Sequence, residues 1–282
     1  MISSGKTAII IVHYSGLSNT RECIDSIEAN RDNNFHIVIV NNSGEDLPGF
    51  ASRYTVISAP NQGYGAAMNV GMDYVFHNGF SYLVMMNNDA LVERDFIAKV
   101  TRISDRYPSW IMNPKIVFSH SGLMQCAGGE VLLLLGGCRN IDKNKRPERI
   151  NQLSFPDFLN GGCIFSQVEN IQRVGKFDPE YFLYYEDVDW SYRARKLGYT
   201  LAVVPDIQIY HKHSSSSDTR MKEYYMGKSK MTFAKKHLRG LRKAIFLGSS
   251  FLLTPFIKMI YFRRITGFLH YYRGALGKPI KP

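Results

Sequence analysis

Residues 182–190 hold the side chains of this sequence that are best suited to chemistry. They read FLYYEDVDW, with three carboxylates and four aromatic rings in nine residues, and His211 follows Asp187 by 24 positions. Buried carboxylates are retained only with a partner or a task, because taking them out of water is costly. This composition suits an active site that handles a sugar and removes a proton from one of its hydroxyl groups.

A helix predicted to begin near Glu186 separates these carboxylates onto different faces. Residues three or four positions apart share a face, so we expect Asp189 to pair with Arg193 in a structural role. Asp187 lies on another face, with Trp190. We therefore predict that Asp187 is the base that meets the substrate hydroxyl and that Glu186 orients the loop or the acceptor.

Two adjacent glycines precede this segment in the run FLNGGCIF, which we interpret as a strand over residues 158–165. Glycines in a strand permit a ligand to approach the backbone closely, or they form a bulge. The pocket expected for the acceptor or the sugar consists of Gly161, Gly162, Tyr185 and Trp190.

An Asn87-Asn88-Asp89 run ends a predicted strand and offers oxygen ligands to a divalent cation. Such an ion can bind one or two protein groups and take its other ligands from phosphate and water. Asp89 is the candidate ligand, although an Asn/Asp-rich turn in which Asp89 caps the next helix is an alternative. His211 follows another strand-like run and could complete the metal site or hold a diphosphate oxygen; a structural role is its alternative.

The run NQGYGAAMN, residues 61–69, has Gly63 and Gly65 just before a predicted helix. Free backbone N–H groups and the positive end of the helix dipole could meet a phosphate or a sugar hydroxyl there. A plain strand-to-helix turn has the same appearance, and the motif alone does not decide between the two.

Short apolar runs alternate with segments of helical period, which predicts an α/β fold with a mostly parallel sheet. The expected strands are residues 7–12, 36–41, 54–58 and 82–87, and the expected helices are 20–30, 66–78 and 93–107. Ligands of such sheets bind at the carboxyl ends of the strands. Those ends are polar here, so they should form one crevice. Residues 119–158 predict an irregular insertion that could cover the acceptor side.

Length and charge divide the chain into a body and a tail. Its 282 residues, 45% of them hydrophobic, suffice for one domain of about 200 residues and an appendage. The net charge is +11, and residues 220–282 hold fifteen Lys and Arg against Glu223 alone, so they carry +14 and residues 1–219 carry −3. We expect a catalytic domain over 1–219 and a membrane-associating segment over 220–282.

The four cysteines form no CxxC pair and have no histidine at zinc-finger spacing, so a reducing compartment fits them. The apolar run near the amino terminus has strand length and is too short for a signal-peptide core. We therefore expect the body to stay in the cytoplasm.

The tail combines an apolar and a basic face at helical spacing. The apolar arc holds Tyr224, Met231, Ala234, Leu238, Leu241 and Ile245, and the adjacent arc holds Lys228, Lys235, Lys236, Arg239, Arg242 and Lys243. The 14 residues 244–257 are uncharged, fewer than the roughly 20 that span hydrocarbon. We expect in-plane or re-entrant insertion at an anionic membrane surface; packing on the body or on a second subunit is the alternative. Nucleic acid is not an expected partner, since the apolar run would have no use there.

In order and spacing, these pieces resemble family 2 glycosyltransferases of the GT-A fold, especially the rhamnosyltransferase-like members that build bacterial O-antigen and related polysaccharides. The matching pieces, within residues 7–217, are IIIVHYSG, VIVNNSGED, NQGYGAAMNVG, YLVMMNNDALV, FLNGGCIF, VGKFDPEYFLYYEDVDWSYRARKLGY and the His211 region. The resemblance implies a Rossmann-like GT-A sheet flanked by helices.

The same resemblance implies roles for the candidate residues. The expected contacts of a nucleotide-sugar donor are His13, Tyr14, Asn41, Ser43, Gly63, Asn69, Asn87 and Asn88. The NND run takes the place of the DxD motif of the family, so Asp89 would hold Mg²⁺ or Mn²⁺, joined by His211 as by a histidine in related galactofuranosyltransferases. The aspartate of the ED pair, Asp187 here, would be the base.

The implied reaction is an inverting, metal-dependent transfer of a sugar, first of all rhamnose from dTDP-rhamnose, to a lipid-linked or saccharide acceptor. It would occur at the cytoplasmic face of a bacterial inner membrane, by a monomer or a homo-oligomer. Two departures bear on the donor and the metal: Asn41 stands where many members have a pyrimidine-contacting Asp, and Asn87 removes one carboxylate from DxD. A UDP-hexose or N-acetylhexosamine donor stays open, as does a non-catalytic sugar-nucleotide-binding scaffold.

Overall fold

The computed structural model describes residues 5–135, 137–212, 219–262 and 265–277. Its strands are β1 (Thr7–His13), β2 (Phe35–Asn41), β3 (Thr55–Ser58), β4 (Tyr82–Asn87), β5 (Ala90–Val92), β6 (Trp110–Phe118), β7 (Met124–Cys126), β8 (Gly129–Leu132), β9 (Gly137–Asn140), β10 (Cys163–Gln167) and β11 (Thr200–His211). Its helices are α1 (Leu17–Glu28), α2 (Tyr64–Phe76), α3 (Phe96–Arg106), α4 (Val168–Val174), α5 (Glu186–Lys196), α6 (Thr219–His237), α7 (Gly240–Phe262) and α8 (Ile265–Ala275). Residues 213–217, which end the stretch that resembles the glycosyltransferases, lie outside the described residues.

Nine of the described strands form one sheet in the order β3-β2-β1-β4-β10-β6-β11-β5, with β7 paired to β6. Strands β1 to β4 pair in parallel, as do β6 and β11. Strands β5, β7 and β10 are antiparallel to their neighbours, so the mostly parallel sheet expected from the sequence is a mixed one. β10 runs against β4 because the chain enters it at the carboxyl edge, where Cys163 pairs with Met86.

Helices cover both faces of the sheet, as the alternation of the sequence predicts. β1 is buried along its whole length. Its Ile9 and Ile11 face the layer that contains α1 and α3, and its Ile10 faces the layer that contains α2, α4 and α5, since side chains of a strand alternate between faces. The four predicted strands and three predicted helices are confirmed, with ends that differ by three residues at most.

The chain between residues 119 and 163 differs from its prediction. The supposed strand over 158–165 begins only at Cys163, because the backbone of residues 160–162 turns and is held by a buried side chain. Asn113 does this: its Oδ1 accepts the Asn160 N–H at 2.7 Å and its Nδ2 donates to the Asn160 carbonyl at 3.2 Å. The supposed irregular insertion contains β7 and the β8–β9 hairpin. β6 was not predicted from the sequence, because Asn113 and Pro114 interrupt its apolar run.

The tail is not one continuous amphipathic helix. It breaks between α6 and α7, where Gly240 has a φ of +53°. α6 crosses α8 at two glycines, and a Cβ on Gly227 would lie 2.2 Å from the Tyr271 carbonyl oxygen. α6 and α7 pack on the body through Phe233 and Phe246, which is the alternative that the sequence left open. Among the described residues, no helix combines the length and apolar character needed to cross a membrane.

Candidate active site

The carboxyl edge of the sheet joins the predicted base to the predicted cation ligands. The Asn87 N–H at the end of β4 donates to the Gly162 carbonyl at 3.1 Å. The next residue back, Gly161, donates its N–H to Asp187 Oδ2 at 2.9 Å. Because Asn87 lies two residues before Asp89, this short hydrogen-bonded path brings Asp187 and Asp89 to the same crevice. The predicted convergence of polar strand ends is therefore present.

Asp187 lies in the first turn of α5 with both carboxylate oxygens engaged. Oδ1 accepts the Val188 N–H at 2.8 Å, and Oδ2 accepts the bond from Gly161. Free N–H groups at a helix start stabilise a negative charge there. A Cβ on Gly161 would lie 3.5 Å from Asp187 Oδ2, in ordinary contact, so the glycine leaves this side of the carboxylate open. Asp187 is thus held in place without an ion pair to a described cation.

Glu186 has a different environment from that of its neighbour. It is buried, and among the described residues its Oε2 has no hydrogen-bond partner. Burial, and then the charge of Asp187, raise the pKa of Glu186. Burial also raises the pKa of Asp187, but the N–H groups of Gly161 and Val188 oppose that rise. The raised pKa of Glu186 favours its protonated form, and the two N–H groups favour the charged form of Asp187.

We predict that Glu186→Gln removes part of the pH dependence of stability. The folded protein keeps a proton on Glu186 that the unfolded chain releases above about pH 4.5, the ordinary pKa of a glutamate. Rising pH therefore favours unfolding, from 4.5 upward through the raised pKa. The wild-type melting temperature should fall over that range, and the fall should be smaller in the variant.

Glu169→Gln is the matched control, because Glu169 is exposed and pairs with Arg173 on the surface. Its melting curve against pH should follow the wild type. Parallel curves for wild type and Glu186→Gln would show that Glu186 does not carry the proton.

The candidate cation ligands Asp89 and His211 are neighbours. Pairing of β5 with β11 aligns His211 with Ala90, and Asp89 Oδ1 lies 2.8 Å from His211 Nε2. His211 Nδ1 lies 2.8 Å from Gln125 Oε1. A bond from Nδ1–H to Gln125 leaves the Nε2 lone pair on the side of Asp89, and such an outer partner is usual for a metal-bound histidine.

This donor set fits a Mg²⁺ or Mn²⁺ ion that takes its other ligands from a diphosphate and water. It consists of one carboxylate and one imidazole, with the Asn87 amide 3.1 Å from the same Nε2. In the part of the chain that the structure describes, no group of three or more His, Cys, Asp or Glu side chains could hold a metal ion. The site would therefore be completed by the ligand's phosphates.

The strand ends on the other side of the crevice are linked by side-chain hydrogen bonds. His13 Nδ1 lies 2.7 Å from Thr20 Oγ1, and Asn88 Nδ2 donates to the same oxygen at 2.8 Å. Burial lowers the pKa of His13, although Glu45 opposes the shift, and this favours the neutral imidazole. Tyr14 is 53% exposed and can cover a ligand.

Asn41 and Ser43 form the turn after β2. Asn41 Nδ2 donates to the Glu45 carbonyl at 2.6 Å, and its Oδ1 accepts the Ser43 hydroxyl at 2.7 Å. The next side chain, Asn42, is buried, and its Oδ1 has no partner among the described residues. Asn42 is one of the polar strand ends predicted for this crevice, although it is not among the donor contacts expected from the sequence.

Gly63 is required for packing within the chain. Its φ is +99°, and a Cβ would lie 2.1 Å from the Phe182 carbonyl oxygen. The Tyr64 N–H donates to that oxygen at 3.2 Å, and the Tyr64 hydroxyl donates to the Gly161 carbonyl at 3.2 Å. The conformation of Gly63 thus permits the close approach of the segment that carries the predicted base.

Three other candidates make contacts within the protein. Asn69 bonds through both amide atoms to the backbone of Phe177, each at 2.8 Å. Trp190 is fully buried, and its indole N–H donates to the Gly175 carbonyl at 2.7 Å. Tyr185 is buried against Phe233 of α6. Helical spacing placed Trp190 beside Asp187, but the same face enters the core.

The turn before α5 is backbone-strained and is held by the tail. Tyr184 and Tyr185 have φ values of +65° and +70°, a region that costs a non-glycine residue about 1–3 kcal/mol. α6 contacts this turn through the Ser229 hydroxyl, which donates to the Leu183 carbonyl at 3.0 Å. His237 Nε2, at the end of α6, lies 2.6 Å from Asp189 Oδ1, and Asp189 pairs with Arg193 as predicted. The tail therefore positions α5, the helix that carries the predicted base.

The predicted base at the start of α5 and the Asp89–His211 pair lie at the same carboxyl edge of an α/β sheet, an arrangement suited to an enzyme that acts on a phosphate-bearing donor. Comparison with known families is more specific. The family described as "Glycosyl transferase family 2" matches residues 8–167, more than half of the chain. The chain belongs to this family of enzymes, which transfer sugars from nucleotide-sugar donors.

Relatives include rhamnosyltransferases. The dTDP-rhamnosyl transferase RfbF of Shigella flexneri is 23% identical over 221 residues, which cover 74% of this chain and 70% of that protein. The N-acetylglucosaminyl-diphospho-decaprenol L-rhamnosyltransferase of Mycobacterium tuberculosis is 36% identical over 76 residues, 26% of this chain and 25% of that one.

A solved structure agrees on the fold. The structure of GalNAc-T7 with UDP, GalNAc and Mn²⁺ superimposes with a TM-score of 0.62 at 13% identity. The superposition covers 88% of this chain and 55% of that one, so this chain spans little more than half of its length. The GT-A fold expected from the sequence is thereby confirmed.

Proposed function

We propose that this chain is an inverting, metal-dependent glycosyltransferase that moves rhamnose from dTDP-rhamnose to a lipid-linked or saccharide acceptor in cell-surface polysaccharide synthesis. Its main support is the hydrogen-bonded path from Asp187 through Gly161 and Gly162 to Asn87. This path joins a negatively charged base to the Asp89–His211 pair at one edge of the sheet.

In this proposal Asp187 takes the proton of an acceptor hydroxyl, whose oxygen attacks the anomeric carbon opposite the departing nucleoside diphosphate. One displacement inverts the anomeric centre. Asp89 and His211 would hold a divalent cation, whose chemistry there is to neutralise charge on the departing diphosphate. Protonation of Glu186, which its raised pKa favours, would leave Asp187 as the charged carboxylate of the pair. The Tyr64 hydroxyl donates to the Gly161 carbonyl, which helps the loop to keep its position.

Rhamnose as the transferred sugar is supported by the relatives from Shigella flexneri and Mycobacterium tuberculosis. Asn41, the residue expected to contact the pyrimidine, uses its amide within its own turn. This contact therefore does not restrict the donor to dTDP-rhamnose. UDP-hexoses and UDP-N-acetylhexosamines are therefore the donors to compare with dTDP-rhamnose.

Replacing Asp89 by Ala should abolish metal-dependent release of nucleoside diphosphate. The measurement uses dTDP-, UDP- and GDP-sugars with Mn²⁺, Mg²⁺ or EDTA, for wild type and variant. We expect release from dTDP-rhamnose with metal, none with EDTA, and a loss of about 10²-fold or more in the variant, because the leaving charge is no longer neutralised.

Asp206→Ala is the matched control, since Asp206 is an exposed carboxylate on β11, the strand of His211. It should behave as wild type. Equal release by Asp89→Ala and wild type would contradict the cation site. If no donor is consumed, even with a membrane extract that supplies lipid-linked acceptors, a binding scaffold would replace the enzyme.

The proposed place of this reaction is the cytoplasmic face of a bacterial inner membrane, with the tail at an anionic lipid surface. Support comes from the positive charge of the tail, which contains fifteen Lys and Arg and one Glu. An acceptor carried on a lipid would be found at that surface.

A further inference from the structure

We propose that a basic pocket between α5, α6 and α7 binds the phosphate of an anionic phospholipid headgroup while an apolar stripe of α7 lies on the bilayer. This inference rests on the proposed membrane location and names the residues that would make the contact. The pocket measures about 450 Å³ and is lined by Tyr192, Lys196, Lys236, His237, Leu238, Arg239 and Arg242.

The lining of this pocket has five basic side chains and no acidic one. Two of the five already have partners: Lys236 pairs with Glu180 at 2.6 Å, and His237 pairs with Asp189. The guanidinium groups of Arg239 and Arg242 are exposed, and neither forms an ion pair with a described carboxylate. An anion that enters the pocket can therefore bind both without displacing an existing partner.

Lys196 approaches the same pocket from the end of α5. Its ammonium group lies 4.7 Å from the centre of the Tyr192 ring, which keeps the side chain over the pocket wall. α7 begins next to the pocket, at Gly240, so the positive end of its dipole adds to the three side-chain charges. These contributions come from α5, from the linker between α6 and α7, and from α7, and they favour one anionic group at their meeting point.

An apolar stripe starts at the pocket and runs along the exposed side of α7. Leu241 is 75% exposed and Leu252 is 74% exposed. Eleven residues turn a helix through about 1100°, which returns to within about 20° of the starting direction, so the two leucines share one face about 16 Å long. Ile245 and Gly248 lie between them on that face. The opposite face is buried through Phe246.

A lipid surface is the occupant that matches both features at once. A helix lying in a membrane interface buries an apolar stripe among acyl chains and places its basic residues at the phosphates. Here the stripe and the basic pocket adjoin at Leu241 and Arg242, which matches the short distance between the phosphates and the acyl chains of a bilayer. A soluble phosphate compound would use the pocket and leave the leucines in water.

The test compares binding of the full chain to vesicles of phosphatidylcholine with and without phosphatidylglycerol by co-sedimentation. We expect binding only to the anionic vesicles. Each basic side chain at an anionic surface strengthens binding about fivefold, so Arg239→Gln/Arg242→Gln should bind about 30-fold more weakly. Leu241→Ser/Leu252→Ser should also bind at least about tenfold more weakly, because apolar burial is lost.

Arg102→Gln/Arg106→Gln is the matched control for charge, since α3 covers the other face of the sheet. It should bind like wild type. Equal binding of wild type to neutral and anionic vesicles, or wild-type binding by either the arginine or the leucine pair, would overturn the proposal. So would a melting-temperature increase with inorganic pyrophosphate that needs both arginines, in a protein that does not bind vesicles.

Release of nucleoside diphosphate without vesicles separates this inference from the proposed function. Arg239→Gln/Arg242→Gln should retain the wild-type rate there, because neither arginine touches the crevice. Transfer without vesicle binding would refute the lipid site and leave the enzyme intact. Vesicle binding without any transfer would refute the enzyme and leave the lipid site.

Discussion

Asp187→Asn should lower the turnover of sugar transfer by about 10²–10⁴-fold, the usual contribution of a general base. Asparagine has nearly the same shape, and its amide oxygen can still accept the Gly161 N–H that now meets Asp187 Oδ2. The glycine loop should therefore keep this contact, while the negative charge and the bond from the Val188 N–H to Oδ1 are lost. The initial rate of transfer should fall, and the affinity for the nucleoside diphosphate, measured by calorimetry, should stay unchanged.

The same replacement at an exposed aspartate, Asp206→Asn, is the matched control and should leave both quantities at wild-type values. Unaltered turnover in Asp187→Asn would remove this residue from the role of base. A parallel loss of nucleotide affinity would indicate that the carboxylate holds the donor and not the acceptor proton.

Trp190→Ala should lower the free energy of unfolding by about 3–5 kcal/mol, the range for removing a large aromatic side chain from a core. The indole is fully buried, packs 5.7 Å from the Phe177 ring and donates to the Gly175 carbonyl. Trp190→Phe should lose less, because most of the ring remains. Urea unfolding of wild type and both variants measures the difference.

The chain has a second tryptophan, and Trp110→Ala is the control. Trp110 is only partly buried and stacks on Tyr107 at 4.0 Å, so its loss should cost less stability than that of Trp190. Below the transition, Trp190→Phe should keep the wild-type KM for the donor. If Trp190→Ala kept its stability and raised KM instead, the side chain would belong to the sugar pocket.

Local patterns in the sequence were sufficient to predict α5 and the faces on which its carboxylates lie. The separation of Asp187 from the Asp189–Arg193 pair depends only on helical periodicity within α5, and the 2.9 Å ion pair agrees with it. Strand ends were also predictable, because runs such as residues 82–87 end in polar residues. The convergence of His211 with Asp89 followed from the resemblance, and the β5–β11 pairing that creates it is not visible in the sequence.

Contacts between distant segments were not predictable in the same way. Gly63 has the spacing of a ligand loop, but its positive φ serves the approach of Phe182, more than a hundred residues away. The Asn69 amide likewise bonds to the backbone of Phe177, a residue far away in the sequence. Asn113 and Gln125 hold the glycine loop and His211, yet each is a polar residue within a largely apolar strand, with no local signal of its partner.

The tail shows how one composition can serve two purposes. Apolar spacing in α6 predicted a membrane face, and several of those residues, including Ala234 and Leu238, are instead buried against the body. They support the strained turn at Tyr184 and Tyr185 from which α5 begins. Exposed apolar residues are found farther along, on α7, so any membrane contact would be made beyond the helix that supports the active site.

The anomeric configuration of the product tests the central claim most directly. A purified acceptor and dTDP-rhamnose, or whichever donor the release assay identifies, would be incubated with wild type and metal, and the new linkage examined by NMR. Attack by a hydroxyl that Asp187 deprotonates predicts a linkage of configuration opposite to that of the donor. A product of retained configuration would contradict single displacement and, with it, the role given to Asp187.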